Sequence, residues 1–194
     1  MNFLKKIFSI PVKETKEIQK QEVNLSLDDL FVHNFIEKGG KFLYCQQKVE
    51  VKENLNKILL ENNWEELLVL NKNLTTFLNT KKVTVHKEFT KTKPVFSSCE
   101  HLIADHGDIL FSSNQLKSTK LSELSENFIV FAKTSQLVKN TGEGLTGIKT
   151  NAENALPTNI SSIKNYTTIK SDDNFLNYGN NNSKNLYLLL LEDL

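Results

Sequence analysis

Ser98-Cys99-Glu100-His101-Leu102-Ile103-Ala104-Asp105-His106-Gly107-Asp108-Ile109-Leu110-Phe111-Ser112-Ser113 brings two apolar runs together across a polar, glycine-bearing turn. Leu102, Ile103 and Ala104 read as one buried strand and Ile109, Leu110 and Phe111 as another. Asp105, His106, Gly107 and Asp108 reverse the chain between them, so a hairpin is predicted near residues 102–111. Carboxylates and an imidazole thus stand at a strand end, where pockets in α/β proteins form.

Upstream, Ser26 with Asp29 three residues on makes a capping-box-like helix start, and Leu27, Leu30, Phe31 and Phe35 supply an apolar stripe that Gly39-Gly40 ends. Lys41 to Cys45 is a short strand. Val51, Leu55, Ile58 and Leu59 recur at helical spacing, Asn62-Asn63 breaks the pattern before Trp64, and Glu66 to Leu70 is a further strand. That is a β-α-β unit. Leu74, Phe77 and Leu78 suit a short helix capped by Asn71 or Asn73, and Val83 and Val85 another strand. Downstream, Phe128 to Phe131 is apolar at every position and is expected near the centre of a sheet; Leu137 to Ile148 is expected to be a helix. Helices alternating with continuous apolar strands predict an α/β fold, a mostly parallel sheet with helices on both faces, to which the hairpin adds an antiparallel element.

A chain of 194 residues with 39% hydrophobic content can build one packed domain. Lys plus Arg at 24 against Asp plus Glu at 23 leaves a net charge of +1, so no global field attracts nucleic acid, and none is expected as a partner. Cys45 and Cys99 have no CxxC partner, which points to free thiols in a reducing cytoplasm and rules out an iron-sulfur cluster held by this chain alone. The longest apolar run, Leu186 to Leu191, is far shorter than the roughly 20 residues a spanning helix needs, so stable membrane insertion is not expected. Met1 to Ile10 is apolar and basic, with Phe3, Leu4, Ile7 and Phe8 beside Lys5 and Lys6. Val12 to Val23 is a charged linker. Residues 1–25 are therefore expected to be an appendage, and 26–194 the domain.

Glu100, His101, Asp105, His106 and Asp108 are the residue types of a general acid/base site, since a carboxylate beside an imidazole fixes its tautomer and raises its pKa. In an extended strand His101, Ile103 and Asp105 share one face, so the spacing supports His101 with Asp105. Asp105, His106 and His101 are the catalytic candidates. The same residues also read as an ordinary hairpin turn with its solvent face. His101, Asp105 and His106 lack the helical HxxxH register of a metal site, and no metal is expected. Cys99 becomes a nucleophile only if His101, two residues on, lowers its pKa; the alternative is a buried, inert thiol.

Thr134, Ser135 and Gln136 leave the strand after Ala132 and can donate hydrogen bonds to a carboxylate or phosphate, or simply cap the next helix. With Gly107 and Asp108 they make the ligand-binding set, and the expected site is where the Asp105 to Asp108 turn approaches Thr134 to Gln136. A small carboxylate or a phosphorylated metabolite suits it. Thr141-Gly142-Glu143-Gly144 with Gly147 follows no apolar strand directly, so it is not a dinucleotide fingerprint, and no cofactor is expected. His33 and His86 read as structural or exposed.

Ala104-Asp105-His106-Gly107-Asp108 followed by Ile109-Leu110-Phe111 resembles the LUD domain family. There an apolar strand ends in a small residue and leads through an acidic residue, Thr, Gly and Thr or Ser into a second strand. Asp105 matches the acidic position and Gly107 the glycine. Asn127 to Ala132 with Gln136-Leu137-Val138 is similar to the family's next strand and its exit, and Lys184 to Leu191 to its last. Leu156-Pro157-Thr158-Asn159-Ile160-Ser161-Ser162-Ile163 and Tyr178-Gly179-Asn180-Asn181-Asn182-Ser183 replace the family's Gly-Pro-Ser and Gly-x-His-Gly-Pro loops. The resemblance implies the fold of the ribose-5-phosphate isomerase and CoA-transferase superfamily. It also implies an accessory part in oxidising L-lactate to pyruvate beside iron-sulfur partner proteins. The altered loops keep open a non-catalytic scaffold, and a small-metabolite enzyme of the isomerase and CoA-transferase type is the remaining alternative.

Overall fold

The computed structural model describes residues 25–89, 91–150, 156–166 and 182–193. The apolar-basic segment, its linker and the Asn-rich stretch 174–181 lie outside the described residues. In chain order the elements are α1 (Leu27–Glu37), β1 (Lys41–Cys45), α2 (Lys48–Glu61), β2 (Glu66–Val69), β3 (Thr84–His86), β4 (Val95–Ser98), β5 (His101–Ile103), β6 (Asp108–Ser112), α3 (Ser113–Leu116), β7 (Asn127–Lys133), β8 (Leu137–Val138), α4 (Thr141–Thr150), β9 (Ile160–Ile163) and β10 (Asn185–Leu191). A 3-10 turn over Lys72–Phe77 stands where the short helix was expected.

Six strands pair in the order β1-β10-β7-β4-β2-β3, every pair parallel. Phe128 to Phe131 belongs to β7, inside the sheet, because a strand apolar at every position must bury both of its faces. Alternate residues serve two cores. Ile129, Tyr187, Leu189, Phe96 and Leu67 meet Val51, Leu55, Ile58 and Leu59 of α2 on one face. Phe128, Val130, Leu186, Leu188, Val95 and Leu68 meet Phe31 and Phe35 of α1 on the other.

The second face is not covered by helix alone. A four-stranded sheet, β8-β5-β6-β9, shares it with α1, presenting Leu102, Ala104, Ile109, Phe111 and Ile163 inward. The predicted hairpin is its centre, with Leu102 opposite Ile109. Its outer face is closed by α4, whose Gly144 lets the helix approach so near that a Cβ there would lie 3.2 Å from Ile103 Cδ1. The glycines of this segment thus serve close helix-on-sheet packing.

Two expectations shift. Leu137 and Val138 are extended rather than helical, because the free edge of β5 pairs them with Leu102 and Ile103. The helix starts only at Thr141, where Asn140 Oδ1 accepts from the Glu143 amide at 3.0 Å. Ile160 to Ile163, quoted above as part of an altered loop, is a strand antiparallel to β6.

β4 passes into β5 through Cys99 and Glu100 alone, and β7 passes into β8 through a 3-10 turn at Thr134–Gln136. Since β4 pairs with β7 and β5 with β8, the two segments pass side by side from one sheet into the other, with Gln136 bridging them where they cross.

At the α1 end, the Ser26 hydroxyl accepts from the Asp29 amide at 3.3 Å, and Asp28 and Asp29 stand in the first turn where negative charge suits the helix dipole. Phe31 and Phe35 are fully buried, each stabilising the packed state by about 2–3 kcal/mol.

Candidate functional site

All six parallel strands end on one side, the edge at which α/β sheets hold ligands. The exits of β7 and β10 meet there because Lys133 and Leu191 are register partners. Thr134 Oγ1 and the Ser135 amide donate to Asp193 Oδ1 at 3.0 and 2.9 Å, and Ser135 Oγ donates to Asp193 Oδ2 at 2.9 Å. Lys133 Nζ lies 3.3 Å from Asp193 Oδ2, and the Asp193 amide donates back to Thr134 Oγ1 at 3.0 Å. Of the donors that the sequence suits to a carboxylate or phosphate, Thr134 and Ser135 hold a carboxylate of the chain's own. Beside them, Asn71 Oδ1 accepts from the Ser98 amide at 3.1 Å, tying the exits of β2 and β4.

Gln136 is a strut. Its side-chain nitrogen donates to the carbonyls of Cys99 and Glu100 at 2.7 and 3.0 Å, and its side-chain oxygen accepts from the Lys133 amide at 2.8 Å. Its own carbonyl lies 3.3 Å from His101 Nδ1. His101 therefore meets Gln136 at the start of β5 and packs against α4, where a Cβ on Gly147 would come within 3.0 Å of Nε2.

The Asp105 to Asp108 turn sits at the other end of β5. Ala104 and Asp105 amides donate to the carbonyls of Val138 and Lys139, each at 2.9 Å, so β8 stands between this turn and Thr134 to Gln136. The two segments expected to line one site flank opposite ends of a short strand. The strand ends at Ile103, so the alternation that would have carried Asp105 to the face of His101 stops before it reaches Asp105.

Within the turn each residue has a distinct place. Asp105 is half-buried and His106 exposed, and among the described residues neither side chain has a hydrogen-bond or ion-pair partner. Gly107 has φ +64°, and a Cβ there would lie 2.5 Å from the Phe35 backbone nitrogen. Only glycine lets the turn seat on α1. Tyr166 Oη donates to the Gly107 carbonyl at 2.6 Å, and Asn34 Nδ2 to that of Ala104 at 2.8 Å. Asp108 is buried and paired with Lys38 Nζ at 2.9 Å.

Glu100 accepts from the Ser112 hydroxyl and from Asn114 Nδ2 and Gln115 Nε2, which fixes α3. Cys99 is buried, and burial together with the Glu100 charge pushes its thiol upward, so it stays protonated at neutral pH rather than serving as a nucleophile. His33 lies 3.4 Å from Glu37 on the exposed side of α1, and His86 at the end of β3 lies 3.3 Å from Glu66, which also meets Lys93. Among the described residues no group of three or more His, Cys, Asp or Glu side chains is placed to hold a metal ion, and no helix is long and apolar enough to cross a membrane.

Asp193, Lys133 and Lys38 were not expected from the sequence, and Asn71 was expected only as a helix cap. A signal for Asp193 existed: it follows the apolar run of β10 much as Thr134 follows that of β7, and adjacent parallel strands bring their exits together.

No curated protein matches the chain. Among solved structures it is similar to a DUF162 family protein from Deinococcus radiodurans, at 14% identity and a TM-score of 0.61, over 87% of this chain and 99% of that one. At that identity the likeness speaks for the fold. The LUD domain model matches residues 29–191, from within α1 to the end of β10. With the six-stranded parallel sheet and its covering layers in place, the chain belongs to the LUD domain family.

Proposed function

We propose that this chain is a cytoplasmic accessory component of L-lactate oxidation to pyruvate, working beside iron-sulfur partner proteins. The family match across residues 29–191 carries the reading. Converting the hydroxyl of lactate to a ketone releases two electrons and two protons, so an electron acceptor is needed. This chain has two cysteines, both buried as free thiols, whereas a cluster usually takes four thiolates. On this reading the iron-sulfur centres belong to the partners.

A non-catalytic part is favoured by the hydrogen bonding around the candidate residues. Asp108 is committed to Lys38, Thr134 and Ser135 to Asp193, and Gln136 to the backbone of Cys99 and Glu100. Asp105 and His106 are the members of the set still available to a ligand, Asp105 to orient it and His106 to meet an anion or give a proton. Deleting the gene from its organism should abolish growth on L-lactate while sparing growth on pyruvate, and the tagged chain should bring down proteins with iron-sulfur absorbance. Normal growth on L-lactate would end the proposal.

A further inference from the structure

A hollow of about 90 Å³ opens beyond the ends of β2 and β3, on the same edge of the parallel sheet as the Asp193 cradle. Its lining is mainly apolar, including Leu70, Val85 and Phe89, and includes the exposed Lys72, Lys87 and Lys117. Three lysines thus line one small concavity, so an anion there meets more than one positive side chain. Among the described residues none of the three has a carboxylate partner. Glu88 beside Lys87 is exposed and leaves the lining positive.

Lys117 also stands in an unusual turn. The Thr119 amide donates to the Leu116 carbonyl at 3.1 Å, closing a turn whose second residue is Lys117 with φ 54° and ψ −127°. That is a type II′ position, which glycine normally fills. A long side chain is held there against its backbone preference, with its ammonium 5.8 Å from the Phe89 ring centroid. Strain of this kind persists only where the surrounding structure holds it.

We propose that this hollow binds the phosphate group of a small metabolite. Three cations match a group that carries close to two negative charges better than they match a monocarboxylate, and lysine meets phosphate as a point charge. The hollow opens to solvent, so a phosphate can meet the lysines while a short carbon body lies against the apolar lining. The inference stands apart from the role in lactate oxidation, since phosphate binding and electron transfer can each fail alone.

Calorimetric titration of the full chain at constant ionic strength tests it, with inorganic phosphate, glycerol 3-phosphate and L-lactate as probes. Both phosphates should bind saturably, glycerol 3-phosphate the tighter, while L-lactate leaves these lysines unengaged. Lys87→Gln and Lys117→Gln should each weaken glycerol 3-phosphate at least tenfold. Lys117→Gly should weaken it equally yet raise the melting temperature of the ligand-free protein by about 2 °C, because glycine relieves the turn. Absence of saturable phosphate binding, or unchanged affinity in the lysine variants, would overturn the site. Equal affinity for the two phosphates would overturn the metabolite in favour of the free ion.

Discussion

Burial alone would raise the pKa of Asp193, yet the Ser135 amide and hydroxyl, the Thr134 hydroxyl and Lys133 together hold it down to about 2. A carboxylate whose pKa is lower folded than unfolded stabilises the fold above its unfolded value of about 4, and this contribution is lost as pH falls through about 2. Asp193→Asn keeps the shape and removes the charge. Discounted for solvent access, it should cost about 1 kcal/mol at pH 7 in urea unfolding. Against the wild type at low pH, where both side chains are neutral, the difference should shrink toward zero; a constant difference would remove the charge from the explanation.

At the scale of elements, the Asp105 to Asp108 turn behaves as a clasp on α1. A Cβ at Gly107 would meet backbone atoms of Asn34 and Phe35, which cannot yield as a flexible side chain would, and the positive φ adds its own penalty. Gly107→Ala should destabilise the protein by about 3 kcal/mol, read as a lower melting temperature, whereas His106→Ala, at the exposed tip, should be nearly silent. Strands β2, β7 and β10 were legible because apolar residues run unbroken through them. β8 was not, since two apolar residues fit a helix as well as a strand until the edge of β5 claims them. β9 was hidden by Ser161 and Ser162, whose extended conformation comes from pairing with Phe111 and Leu110. The donors Thr134 and Ser135 could be read locally. Their acceptor could not, because Asp193 is 59 residues from Thr134 and depends on which strands are neighbours.

For the molecule as a whole, the family match begins at residue 29 and the two cores close around elements from α1 to β10. Removing residues 1–25 should therefore leave the melting temperature within about 1 °C. A drop of several degrees would show that Phe3, Leu4, Ile7 and Phe8 contribute to packing. Lys38 and Asp108 span 70 positions, and Tyr166 reaches back 59 to Gly107, so the small sheet is pinned to α1 by contacts that form only when distant segments have met. Folding of this chain is accordingly governed by long loop closures rather than by local structure.

The passage of β4 with β7 into β5 with β8 sets the mechanics of the domain. Two covalent strands cross side by side from the six-stranded sheet into the four-stranded one, so there is no slack joint about which the sheets could swing apart. Such a pair resists bending much as a double strap does. Prising the layers open would shear backbone pairing in both sheets at once, which makes the domain one cooperative unit.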